Sequence, residues 1–221
     1  MREAFRRELD QCADRLAGMC DLAGEAMRGA TVALLDNNLP LAERVIQDDR
    51  LLDVARAECE ALAHSLLALQ SPVARDLRVL IAAVHAADTL ERMGDLAVHV
   101  AKTVRRRHPV PVLPAALHPT VANMAQTAIT VATTAARVIR SGDVGLARSV
   151  EHSDDIVDEQ HSAVFTLLMS EDWPYGTATA VDVSQLSRFY ERFADHAVSL
   201  ARRTIYVVTG DPQPPRLGRA A

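Results

Sequence analysis

Apolar residues recur along this chain at intervals of three and four, the spacing that lines one face of an α-helix. The stretch Leu77, Leu80, Ile81, Val84, Ala87 and Leu90 is one such stripe. Prolines, which cost about 3 kcal/mol inside a helix, are confined to positions 40, 72, 109, 111, 114, 119, 174, 212, 214 and 215. The long proline-free intervals predict six helices, over about 2–36, 40–69, 73–107, 120–141, 143–170 and 177–208. Asn37-Asn38, Gln70-Ser71-Pro72, Ser141-Gly142 and Trp173-Pro174-Tyr175-Gly176 supply the breaks. Pro40 suits a first helical turn, and Gly142 suits a C-cap.

Short links between long helices imply antiparallel neighbours, so three helices make an up-down-up bundle. The predicted fold is all-α, with two tandem three-helix bundles. The first unit covers 1–107, a Pro-rich connector 108–119, the second unit 120–209, and a tail expected to be disordered 210–221.

The two units are copies of one another. A shift of 105 residues places Met19 on Met124, Ala23 on Ala128, Ala30 on Ala135, Leu41-Ala42 on Leu146-Ala147 and Val45 on Val150. Asp49 and Asp53 fall on Asp154 and Asp158 in the same register. The register then changes to 100, so the second link is five residues shorter; Glu91-Arg92 meets Glu191-Arg192 and Asp95 meets Asp195. Apolar matches are common in any helical protein, but no packing requirement places the acidic ones, so they establish an internal duplication.

Composition narrows the function. A net charge of −5 argues against a general nucleic-acid binder, which needs clustered Lys and Arg to release counterions. Cys12, Cys20 and Cys59 form no CxxC pair and read as reduced thiols. The first ten residues, MREAFRRELD, lack the apolar stretch of a signal peptide, and no apolar run approaches the ~20 residues of a membrane span. A cytoplasmic protein is expected, with peripheral attachment at the inner face of the plasma membrane left open.

The acidic residues carry the chemistry. Asp49-x3-Asp53, Glu91-x3-Asp95, Asp154-x3-Asp158 and Glu191-x3-Asp195 each put two carboxylates one turn apart on a helix face, where they repel by a few tenths of a kcal/mol. Antiparallel packing can bring the two pairs of a repeat together, and a multivalent cation would remove the repulsion. All-oxygen ligation suits magnesium, calcium, manganese or iron. The competing reading is a solvated acidic stripe paired with nearby arginines.

Other residues are read more plainly. Arg92 and Arg192 are expected to pair with a neighbouring helix. His99 and His196 do not match between repeats and read as packed or surface histidines. Arg105-Arg106-Arg107 complements a helix dipole, and Trp173 packs a turn. No Glu-x-x-His element of the di-iron carboxylate proteins is present, nor any Walker loop, nucleophile elbow or Gly-rich dinucleotide loop, so no enzyme is expected.

Two three-helix repeats, each with D-x3-D on its middle helix and E-R-x-x-D on its last, resemble the PhoU family of phosphate-specific transport system regulators. The resemblance rests on Glu91-Arg92-Met93-Gly94-Asp95 and Glu191-Arg192-Phe193-Ala194-Asp195, spans about 5–209, and is nearest to actinobacterial, PhoY-like members. It implies a non-catalytic negative regulator of phosphate uptake and of the phosphate-starvation response. The implied partners are the ATPase subunit of a phosphate ABC transporter and a sensor histidine kinase, with a homodimer as a further expectation. It also implies multinuclear metal clusters of iron, zinc, manganese or magnesium, held by Asp49, Asp53, Glu91, Asp95, Asp154, Asp158, Glu191 and Asp195. The alternatives are a metal-free helical adaptor and a carboxylate-bridged di-iron oxidoreductase. Ala194 in place of Gly94 and the shorter second link predict two sites that differ, with helices less closely approached in the second repeat.

Overall fold

The computed structural model describes residues 2–211; the side chains of Arg2, Glu151, His152 and Asp154 lie outside the description. The expected disorder of the tail concerns residues almost wholly outside it. Seven α-helices follow one another among the described residues: α1 (Arg2–Leu35), α2 (Leu39–Asp48), α3 (Arg50–Gln70), α4 (Ala74–Arg107), α5 (His118–Ser141), α6 (Val144–Leu168) and α7 (Gly176–Thr209). None is long and apolar enough to cross a membrane.

The chain's own punctuation sets most boundaries. Asn37 takes a left-handed φ of 50° after α1, and the Asn38 side chain accepts a hydrogen bond from the Leu41 amide at 3.0 Å to start α2. Asp143 caps α6 in the same way, accepting from the Leu146 amide at 3.0 Å. Gly142 closes α5 with φ of 65°, a conformation that glycine adopts without steric cost.

The middle element of the first repeat departs from expectation. A single helix was expected over 40–69, but the chain steps out of helix at Asp49 and resumes as α3. The step is slight, since Asp49 keeps right-handed φ and ψ of −53° and −35° and its carbonyl still accepts from the Leu52 amide at 2.9 Å. It seats Leu52 in a notch on α4: a Cβ built on Gly94 would lie 2.5 Å from Leu52 Cδ1. The second repeat has no such step, and α6 is continuous. Val157 and Ala194 stand where the first repeat has Leu52 and Gly94, so a methyl group removed from one helix is added to the other.

Helices α1, α3 and α4 pack as one bundle, and α5, α6 and α7 as the other. The units also share a core, with α1 against α5 and α4 against α7, each helix meeting its own counterpart. One apolar cluster runs from Leu16 and Met27 through Leu90 and Met93 to Met124, Leu186 and Ile205. Fully buried Tyr190 joins it and shares a 2.9 Å hydrogen bond with Thr31 of the other repeat. The connector contributes too, burying Val112, Leu113 and Leu117 in that cluster rather than merely linking the bundles. The α4 stripe is only partly internal: Leu80, Ala87 and Leu90 are buried, whereas Leu77 and Ile81 are exposed.

Candidate metal centre

The core stripes fix which way the acidic residues face. In α4, Leu90, Met93 and Ala97 are fully buried, which leaves half-buried Glu91 and exposed Asp95 on the flank next to α3. At the start of α3, buried Leu52 sets exposed Asp53 and, at the step just before the helix, half-buried Asp49 beside it. Burial first, and then the carboxylates of Asp95 and Asp53, push the Asp49 carboxyl above its ordinary value, against the pull of Lys102 and His99. Glu91 is raised likewise by burial, Asp95, Asp53 and Asp88, with Arg56 opposing. The four residues expected at the first site thus face one another across the α3–α4 seam. Among the described residues none of them forms a close ion pair.

The second repeat gathers its acids more tightly. One oxygen from each of Asp158, Glu191 and Asp195 lies within 4.8 Å of the others, and no other such acidic group forms among the described residues. Glu191 is 8% exposed and accepts a hydrogen bond from Arg188, one turn earlier on α7. Burial and then Asp158 raise the Asp195 carboxyl, while Arg188, Arg192 and Arg202 oppose the rise. The fourth expected residue, Asp154, lies on α6 with its side chain outside the description.

Three converging carboxylates without histidine or cysteine form a hard, all-oxygen donor set. That set fits magnesium, manganese, calcium or ferric iron better than a soft metal. The residues present therefore suit the cation that the pattern implies, although Arg188 already supplies positive charge at the second group.

A PhoU domain model matches residues 16–104 and again 121–204. The chain belongs to the PhoU family. It is 47% identical, over 95% of its length and 99% of the relative's, to "Phosphate-specific transport system accessory protein PhoU homolog 2" of Mycobacterium tuberculosis. A homolog 1 of Mycobacterium leprae is also 47% identical, with 95% of each chain covered. The crystal structure of PhoU from Pseudomonas aeruginosa superposes with a TM-score of 0.82 at 26% identity, covering 94% of this chain and all of that one. The phosphate transport system regulatory protein PhoU from Streptococcus pneumoniae shares the fold, with a TM-score of 0.84 at 23% identity, covering 95% of this chain and 99% of that one.

Within this PhoU fold the structure supplies partners for several side chains singled out in the sequence. Arg92 pairs with Asp88 of its own helix at 3.2 Å rather than with a neighbouring one, because residues four apart share a helix face. The arginines that close α4 do more than complement a dipole. Arg107 holds buried Asp182 of α7 at 3.0 Å, Arg106 holds the same carboxylate, and Arg105 reaches Glu43 of α2 at 3.5 Å. His99 stacks on Phe189 across the α4–α7 seam, with ring centres 5.3 Å apart. Trp173 packs the turn before α7, donating from Nε1 to the Gly176 carbonyl at 2.9 Å. The partners of Arg105, Arg106, Arg107 and His99 could not be chosen from spacing along the chain, since each pair joins distant segments.

Proposed function

We propose that this protein is a metal-binding negative regulator of phosphate uptake and of the phosphate-starvation response. It acts between the ATPase subunit of a phosphate ABC transporter and a sensor histidine kinase, in the cytoplasm. The observation that carries this reading is the 47% identity, over nearly the whole of both chains, to a protein named as a phosphate-specific transport system accessory protein. The facing carboxylates of α3 and α4, and those of α6 and α7, support the metal component.

Asp49, Asp53, Glu91 and Asp95 would hold cations in the first repeat, and Asp158, Glu191 and Asp195, with Asp154, in the second. A bound cation would neutralise the acidic flank and tie neighbouring helices together. The helical scaffold then presents a docking surface, and no group in it is assigned a catalytic role.

Two measurements test the reading. In a strain lacking the protein, phosphate uptake in rich phosphate should stay high and return to a low level on complementation; equal uptake with and without the protein would refute the regulatory role. Elemental analysis of purified protein should find metal that falls in the Glu91→Ala/Asp95→Ala variant, while circular dichroism keeps its helical signal. Unaltered metal content in that variant would remove the first-repeat assignment.

A further inference from the structure

The two acidic sites differ at one position that bears directly on cation binding. In the register that superposes Glu91 on Glu191, Asp88 falls on Arg188, a reversal of charge. Arg92 and Arg192 match, as do Lys102 and Arg202, so those cations do not distinguish the repeats. Differences of opposite sense are Arg50, Arg56 and His99, whose counterparts are Asp155, His161 and Ser199.

Geometry gives these exchanges unequal weight. Arg188 bonds directly to buried Glu191, whose carboxylate belongs to the group whose oxygens lie within 4.8 Å of one another. Arg56 pairs instead with Glu60 at 3.5 Å and makes no ion pair with Glu91. Asp88 adds a further carboxylate beside Glu91 and is engaged by Arg92. Carboxylates gathered at short range repel and are held ionised by positive charge among them. Asp158, Glu191 and Asp195 converge with Arg188 bonded to Glu191, whereas Asp49, Asp53, Glu91 and Asp95, to none of which a guanidinium is bonded among the described residues, form no comparably tight group.

Resting on the metal-binding reading above, we infer that Arg188 is a built-in counter-ion of the second site. It occupies electrostatically the place of a cation and makes the first repeat the preferred site for multivalent metal. Arg188 is a specificity-determining residue: its side chain is 55% exposed, so it can swing into solvent when a cation of higher charge displaces it. The duplicated acidic motifs then give two sites of unequal affinity, filled in order.

The test titrates metal-free protein with Mn2+ and counts bound ions from the loss of the free Mn2+ resonance signal. The Glu91→Gln/Asp95→Asn background removes the first site and isolates the second. In that background Arg188→Gln should tighten Mn2+ binding on the order of ten-fold, as removal of one contacting charge implies, whereas Arg188→Lys should leave it weak. Without Mn2+, Arg188→Gln should lower the melting temperature, and Mn2+ should restore it. A side chain that merely stabilises the surface would lower the melting temperature without changing Mn2+ affinity. Mn2+ bound at the first repeat with no response to Arg188→Gln would overturn this inference and leave the metal reading standing. Mn2+ bound at neither repeat in any variant would overturn both.

Discussion

The notch at Gly94 allows a quantitative test of how the first repeat is built. Adding a Cβ there places it 2.5 Å from Leu52 Cδ1 and 3.1 Å from Asp49 Oδ1, closer than carbon and oxygen atoms rest. Leu52 is 3% exposed, so its methyl group has neighbours behind it and cannot simply turn away. Overpacking of this kind costs about 1–3 kcal/mol, against which replacing glycine by alanine inside a helix returns about 1 kcal/mol. Gly94→Ala alone should therefore destabilise by about 1 kcal/mol, which in a chain of this size lowers the melting temperature by roughly 2–4 °C. Leu52→Val alone should cost about 0.5–1.5 kcal/mol for the lost methylene. Together the two changes install the Val157 and Ala194 arrangement of the second repeat, where both residues are fully buried. The double variant should lie within about 0.5 kcal/mol of the parent, a strong positive coupling between touching sites. Thermal and urea unfolding of the four proteins supply the cycle. Additive losses in the double variant, or a Gly94→Ala protein more stable than the parent, would refute the notch as the reason for glycine at this position.

Two further outcomes follow from the packing between repeats. Asp182→Asn removes a buried carboxylate shared by Arg106 and Arg107, so it should destabilise by about 1–2 kcal/mol. Because Arg106 is half exposed, added salt should narrow the difference, and unfolding curves at low and high salt will show whether it does. Cys12, Cys20 and Cys59 are all buried, and burial pushes the Cys20 thiol up to about 12. A chromogenic disulfide reagent should accordingly release almost nothing from the native protein and three equivalents after denaturation; rapid reaction in the native state would contradict the burial.

Much of the architecture was legible in the sequence because its causes are local. Helical spacing, proline and capping residues act within a few positions, so the all-α class, the turns at Asn37-Asn38 and Gly142, and the internal duplication could all be read directly. The acidic pairs were legible for the same reason, since positions four apart share a helix face whatever surrounds them. Only the tertiary structure decided what those faces meet. Just past the step at Asp49, Leu52 fits against Gly94, more than forty residues away along the chain, and spacing within the segment could not show that contact. The arginine run at the end of α4 became a clasp on Asp182 because α7 lies alongside it, and spacing within α4 carries no information about α7. The second acidic group was legible as four acids but not as a group with its own guanidinium. Arg188 bonds Glu191 three residues away, but its consequence depends on Asp158 arriving from α6. Pattern along a helix fixes which face a side chain occupies; the packing of helices fixes which charges must share that space.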